Sequence, residues 1–154
     1  MWDKTPTRFF ISCGAGEGST PLTAFDAALI QADIGRYNLV KVTSVVPPGA
    51  MESKTIEVPS GTPIPTAFAN IHSVQPDEII SAAVSVAIPA DKNNHGLIME
   101  YTARGNKQTT EEIVRKMAEE GMEMRGFKID NIKSLAVEHR VIRIGSVIAA
   151  VLLW

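Results

Sequence analysis

A single cysteine, Cys13, is all that the 154 residues carry, so no disulfide framework can hold this fold. Charge of one sign is missing as well. Lys and Arg number 15 against 17 Asp and Glu, for a formal charge of −2, and no basic block exceeds two residues. That removes the electrostatic footprint of a nucleic-acid binder. Long hydrophobic runs are absent too. The apolar tail Val147–Trp154 is far shorter than the ~20 residues a spanning helix needs, so no membrane partner is expected. The first ten residues, MWDKTPTRFF, contain no apolar h-region; no signal peptide is expected, and the expected location is the cytoplasm.

What remains is 45% apolar with slightly positive mean hydropathy, a composition that folds rather than stays disordered. The length favours one domain, and such a chain buries roughly 68–70% of its unfolded surface.

Apolar patterning then predicts the elements. Arg8–Cys13 (RFFISC) reads as a buried strand, and Gly14–Gly18 (GAGEG) as a flexible turn. Ser19 or Thr20 followed by Pro21 starts a helix, with Leu22, Phe25, Leu29 and Ile30 at helical spacing through about Asp33. Gly35 ends it. Asn38–Ser44 (NLVKVTS) reads as a strand running into Val45-Val46-Pro47-Pro48-Gly49, where two prolines stop any central ladder. Pro59 to Pro65 reads as a surface loop. Ile79–Ile88 is a strand buried on both faces, and Leu97–Thr102 another, interrupted by Glu100. Thr109 to about Met124 is the clearest helix, with Thr109 and Glu112 as a capping box and Ile113, Val114, Met117 and Met124 as its stripe. Ile132–Arg140 and Val141–Trp154 close the chain as strands. Two helices among six or seven strands imply an α+β layered sandwich.

Several motifs fail on spacing. GAGEG lies between a strand and a helix, but it does not fit G-x-G-x-x-G and no P-loop Lys-Ser/Thr follows. His72, His95 and His139 are scattered, without the intervals of a tetrahedral metal site. Cys13 has no base near it in sequence and packs as a small hydrophobe. Ser60 lacks the G-x-S-x-G elbow.

Two carboxylates stand out. Asp26 borders the apolar stripe of its helix, either as a rim aspartate bonded to a neighbouring loop or as the partner of a cation. Glu100 alternates with Met99 in its strand. It either faces solvent or points to a partly covered face, where burial would raise its pKa and suit it to donate a proton. Thr43-Ser44, a hydroxyl pair before two prolines, reads on propensity alone as a strand end or local turn.

These residues together resemble a known family. NLVKVTSVVPPGA (38–50) is similar to the self-cleavage region of pyruvoyl-dependent arginine decarboxylases. The likeness continues through EGSTPLTAFDAAL (17–29), ISAAVSVAIPADKNNHGLIMEY (80–101), EMRGF (123–127) and AVEH (136–139), in order over nearly the whole chain.

The resemblance implies a four-layer αββα sandwich in one domain, 1–154, that cleaves itself between Thr43 and Ser44. The β chain would be 1–43 and the α chain 44–154, with Ser44 converted to a covalent pyruvoyl group and neither PLP nor metal required. It implies decarboxylation of L-arginine to agmatine and CO2, a step of polyamine biosynthesis. Residue by residue, Ser44 matches the pyruvoyl precursor, Asn38 the asparagine of self-processing, Glu100 the proton donor and Asp26 the receptor of the guanidinium. Several family members carry Ser-Ser at the cleavage pair. Here the first residue is Thr43, whose β-branch narrows χ1 while the nucleophile is unchanged. The αβ protomers of the family assemble into a trimer or a dimer of trimers, with sites between copies. Lysine or histidine as substrate, and a non-catalytic binder of the same fold, are the alternatives; aspartate is disfavoured because Asp26 would repel it.

Overall fold

A computed structural model describes residues 3–154. Among them nine strands and two helices follow in the order β1 (Arg8–Glu17), α1 (Pro21–Gln31), β2 (Asn38–Lys41), β3 (Val45–Val46), β4 (Met51–Glu52), β5 (Pro63–Ser73), β6 (Ile79–Pro89), β7 (Gly96–Arg104), α2 (Lys107–Met124), β8 (Ile129–Arg140) and β9 (Gly145–Leu153). The first sheet has the order β2-β5-β9-β1-β4 and the second β3-β7-β6-β8. Both are antiparallel except where β2 joins β5 and β1 joins β4.

Three apolar layers hold four layers of structure together. Phe9, Val84, Val86, Ile98, Val147 and Val151 pack between the sheets. Ala28, Ile34, Ile64, Ile148 and Leu152 lie on the outer face of the first sheet, under α1. Ala87, Leu97, Ala118 and Met122 lie between α2 and the second sheet. The result is an αββα sandwich. Every residue of β9 is buried, as befits the middle strand of the first sheet. Each fully buried Val, Ile or Leu there contributes ~1.5–3 kcal/mol.

The sequence predicts β6 as buried on both faces, and it is. Its serines face α2 without cost: Ser85 Oγ donates to the Val114 carbonyl at 2.8 Å, and Ser81 shares a 2.6 Å hydrogen bond with Thr110.

Several expectations need correction. The stretch Gly14–Gly18 is not a flexible turn, because β1 runs on through Glu17, paired with β9 as far as Gly145. The glycines serve contact instead. A Cβ on Gly14 would lie 2.3 Å from the Ala28 carbonyl oxygen, and one on Gly16 2.5 Å from the Ala27 Cβ. That close approach rearranges the helix face. Ala24 and Ala28 are buried against β1, whereas Leu22 and Ile30 of the expected stripe stand 75% and 66% exposed.

The cap of α1 is Thr20, in reciprocal hydrogen bonds with Thr23. At α2 the cap is Asn106, not Thr109: the Asn106 side chain accepts from the Thr109 N–H at 2.8 Å. The buried row of α2 is accordingly Thr110, Val114, Ala118 and Met122, with Met124 exposed.

The expected loop 59–65 ends in a strand. The β9 ladder reaches β5 only at Thr66↔Leu152, so the missing N–H groups of Pro63 and Pro65 leave no bond unmade on that side. Finally, Val141–Ile144 form the turn before β9 rather than its first residues. No helix among the described residues is long and apolar enough to cross a membrane.

Candidate active site

The predicted strand Asn38–Ser44 is split between two sheets. β2 belongs to the first, and the Val42 N–H still donates to the Thr66 carbonyl there at 3.1 Å. β3 belongs to the second, where the Ser44 carbonyl accepts from the Ile98 N–H at 2.7 Å. Thr43 alone lies between these anchors. Buried Val46 pins the second end, and Pro47-Pro48 stops β3 after two residues. The Thr43–Ser44 peptide is thus a strut between sheets, with exposed Thr43 and half-buried Ser44.

Glu100 flanks this strut. It is two residues beyond Ile98 on β7, and alternate residues of a strand share a face, so both point toward the layer between the sheets. Ile98, two residues before it, is the residue whose N–H holds the Ser44 carbonyl. The carboxyl is half-buried. Burial pushes it above the ordinary carboxylate range, and the Lys41 ammonium draws it partway back.

Lys41 is the neighbour that sequence reasoning missed. Its Nζ donates to the Phe68 carbonyl at 2.5 Å and lies 4.3 Å from the centre of the Phe68 ring. A basic residue near the end of a short strand gives no signal of its own. Only the return of β5 beside β2 shows what it meets.

Asp26 and Asn38 are not brought to Ser44 by any hydrogen bond or ion pair among the described residues. Asn38 opens β2, with its Nδ2 donating to the Gly61 carbonyl at 2.7 Å. Six residues of extended chain from there to Ser44 span about 20 Å. Asp26 does not have the half-covered position its spacing suggested. It is exposed, midway along a helix row between the equally exposed Leu22 and Ile30.

Cys13 packs as expected, its Sγ–H 3.6 Å from the Ala136 carbonyl, with burial pushing the thiol up to about 11. His139 meets Glu17 at 2.6 Å. The same carboxylate accepts the N–H groups of Arg143 at 2.8 Å and Ile142 at 3.3 Å.

Comparison with known proteins bears directly on this arrangement. The family described as "Pyruvoyl-dependent arginine decarboxylase (PvlArgDC)" matches residues 8–154. A protein of Methanocaldococcus jannaschii named pyruvoyl-dependent arginine decarboxylase is 48% identical over 151 residues, covering 98% of this chain and 92% of its own. One of the same name from Methanococcus aeolicus is 48% identical with the same coverage. Another, from Thermococcus kodakarensis, is 46% identical over 137 residues, 87% of this chain and 85% of its own.

Proposed function

The chain belongs to the pyruvoyl-dependent arginine decarboxylase family, and from that premise we propose that the Thr43–Ser44 strut is the bond it breaks to make its own cofactor. The Ser44 hydroxyl attacks the Thr43 carbonyl carbon, and the amide becomes an ester as the nitrogen takes the proton. β-Elimination then frees residues 1–43, with a carboxylate on Thr43, and leaves dehydroalanine at position 44. Water replaces its nitrogen, which departs as ammonia, and a ketone remains at the start of 44–154.

The observation that carries this proposal is the pair of anchors on either side of the peptide, Val42 on Thr66 and Ser44 on Ile98. A peptide held at both ends presents its carbonyl to a neighbouring hydroxyl without first having to be ordered. The same anchors suit the group once made, since the carbonyl of residue 44 already accepts a backbone N–H. Asn38 is assigned to this processing step, as a carboxamide that steadies the oxyanion.

When formed, the pyruvoyl group supplies the electron sink for loss of CO2 from L-arginine, in place of PLP or a metal. The chain's own groups do the rest. Glu100 stays protonated longer than an ordinary carboxyl because it is half-buried, and so can hand a proton to the α-carbon, giving agmatine. Such a product feeds polyamine biosynthesis. Asp26 receives the guanidinium, a planar fork suited to a carboxylate, and lysine's point charge would lose that second contact.

Within one chain Asp26 stands apart from Ser44, flanked by exposed Leu22 and Ile30. Such a row, apolar around one carboxylate, is suited to being covered by another copy. A closed trimer, or two trimers, would then build each site from Asp26 of one protomer and Ser44 and Glu100 of the next.

The test is release of CO2 from arginine by the purified chain without added cofactor. Turnover by wild type and none by Ser44→Ala supports the proposal. Turnover by both, or by neither, overturns it.

A further inference from the structure

β2 accompanies β5 only as far as the crossing between sheets. The Asn38 N–H donates to the Thr62 carbonyl and the Val42 N–H to the Thr66 carbonyl, both at 3.1 Å. A parallel ladder advances two residues per rung. With Lys41 level with Thr66, the next rung would join the Ser44 N–H to the Phe68 carbonyl. That rung is not made. The chain turns off at Thr43, and the Ser44 carbonyl is bonded to Ile98 in the other sheet. Among the described residues no acceptor meets the Ser44 N–H.

The Phe68 carbonyl is nevertheless occupied. Lys41, the last residue of β2, donates to that oxygen from its Nζ at 2.5 Å. The centre of the Phe68 ring lies 4.3 Å from the same ammonium, a second contact that holds it at its acceptor. An exposed lysine ordinarily keeps its rotamers free, so these two contacts must outweigh the entropy of ordering it. A charge-assisted hydrogen bond is also stronger than the neutral amide bond it displaces. Lys41 thus fills the ladder position that the Ser44 amide would take.

We infer that Lys41 is a positioning residue for self-cleavage: its ammonium caps the Phe68 carbonyl and so keeps the Ser44 N–H out of the first sheet. The inference rests on the cleavage proposed at Thr43–Ser44. In that step the Ser44 Oγ bonds to the Thr43 carbonyl carbon, the C–N bond breaks, and the nitrogen takes the hydroxyl proton. The nitrogen must therefore give up the planar amide and accept a proton. An N–H donating to Phe68 would favour the planar amide instead. It would also draw residue 44 alongside β5, away from Ile98. With that carbonyl capped, the peptide stays in the crossing and its nitrogen is free to change.

The experiment follows splitting into 1–43 and 44–154 by mass, in freshly synthesised wild type, Lys41→Met and Lys41→Arg sampled over time. Lys41→Met has a side chain of similar length but no donor. It should split about 3–10-fold more slowly than wild type, as expected for one competing hydrogen bond. Lys41→Arg keeps a charged donor and should split at close to the wild-type rate. Lys41→Met splitting as fast as wild type overturns the inference, and so does equal slowing in both variants.

A second measurement does not depend on cleavage. In chains carrying Ser44→Ala, amide hydrogen exchange is read by nitrogen-15 NMR. Adding Lys41→Met should slow exchange at residue 44 by a similar factor, as that N–H takes up the Phe68 carbonyl. The Val42 N–H, already bonded to Thr66, should exchange as before and serves as the internal reference. No slowing at residue 44, or equal changes at both positions, overturns the inference and makes Lys41 a structural residue. If instead wild type stays whole, the reading of Ser44 has failed, and the exchange comparison still decides whether Lys41 holds that amide out of the ladder.

Discussion

Ile98 donates its backbone N–H to the Ser44 carbonyl oxygen at 2.7 Å, and this bond ties the second residue of the Thr43–Ser44 pair to the second sheet. Two residues earlier, Val42 is tied to the first sheet through Thr66. A peptide between two such anchors cannot relax by sliding along either ladder. The layer of Val84, Val86, Ile98, Val147 and Val151 that separates the sheets also fixes the span the chain must bridge. The core, in other words, sets the geometry at the bond proposed to break.

Glu100→Gln keeps the shape of the side chain but has no acidic proton to give. The variant should still divide at Ser44, and its CO2 release from arginine should fall about 10²–10⁴-fold. Steady-state assay of the cleaved variant checks this. Unchanged turnover would remove Glu100 from the chemistry.

Asp26→Ala removes an exposed side chain with no partner among the described residues, so its unfolding free energy should stay within about 0.5 kcal/mol of wild type. The KM for arginine should rise by about 10–100-fold, as for loss of a charge-assisted pair. If sites are shared between copies, co-expressing Asp26→Ala with Ser44→Ala should restore activity at about a quarter of the sites, by random mixing in closed rings. No recovery would place both residues in one protomer.

Glu17 gives the fold a pH dependence. Burial raises its carboxyl, but the Arg143 N–H, the His139 ring and the Ile142 N–H outweigh that and hold it below the ordinary range. A folded pKa below the unfolded one stabilises the protein at pH values above the unfolded pKa of about 4.3. The contribution is lost as pH falls through the depressed folded value. Glu17→Gln should therefore cost about 1 kcal/mol near neutrality and progressively less toward pH 3. Urea unfolding at both pH values measures it.

Much of the architecture is legible in the sequence, and the exceptions have definite causes. The two helices and strands β6, β7, β8 and β9 follow from apolar periodicity and length. β5 was hidden because Pro63 and Pro65 read as breakers. Proline is tolerated where the neighbouring ladder has not begun, and no local signal reports where β9 starts. GAGEG looks like a loop because glycine is both the most flexible residue and the smallest, and here size is what counts. The residues assigned to the proposed site, Ser44, Glu100, Asp26 and Asn38, are those the resemblance implies. That the strand divides between sheets after Val42 depends on pairings far apart in the chain.

Gly14→Ala tests the close contact of α1 with β1. The new methyl would stand 2.3 Å from a backbone carbonyl, which cannot rotate away as a side chain could. A loss of about 1–3 kcal/mol is expected on thermal or urea unfolding. Stability equal to wild type would show that α1 can lift from the sheet without penalty.

The most direct test is the mass of the purified chain after prolonged incubation. The account predicts two polypeptides, 1–43 ending in a free carboxylate and 44–154 beginning with a residue that has exchanged its nitrogen for a ketone oxygen. A single species of full length, with serine intact at position 44, would contradict it.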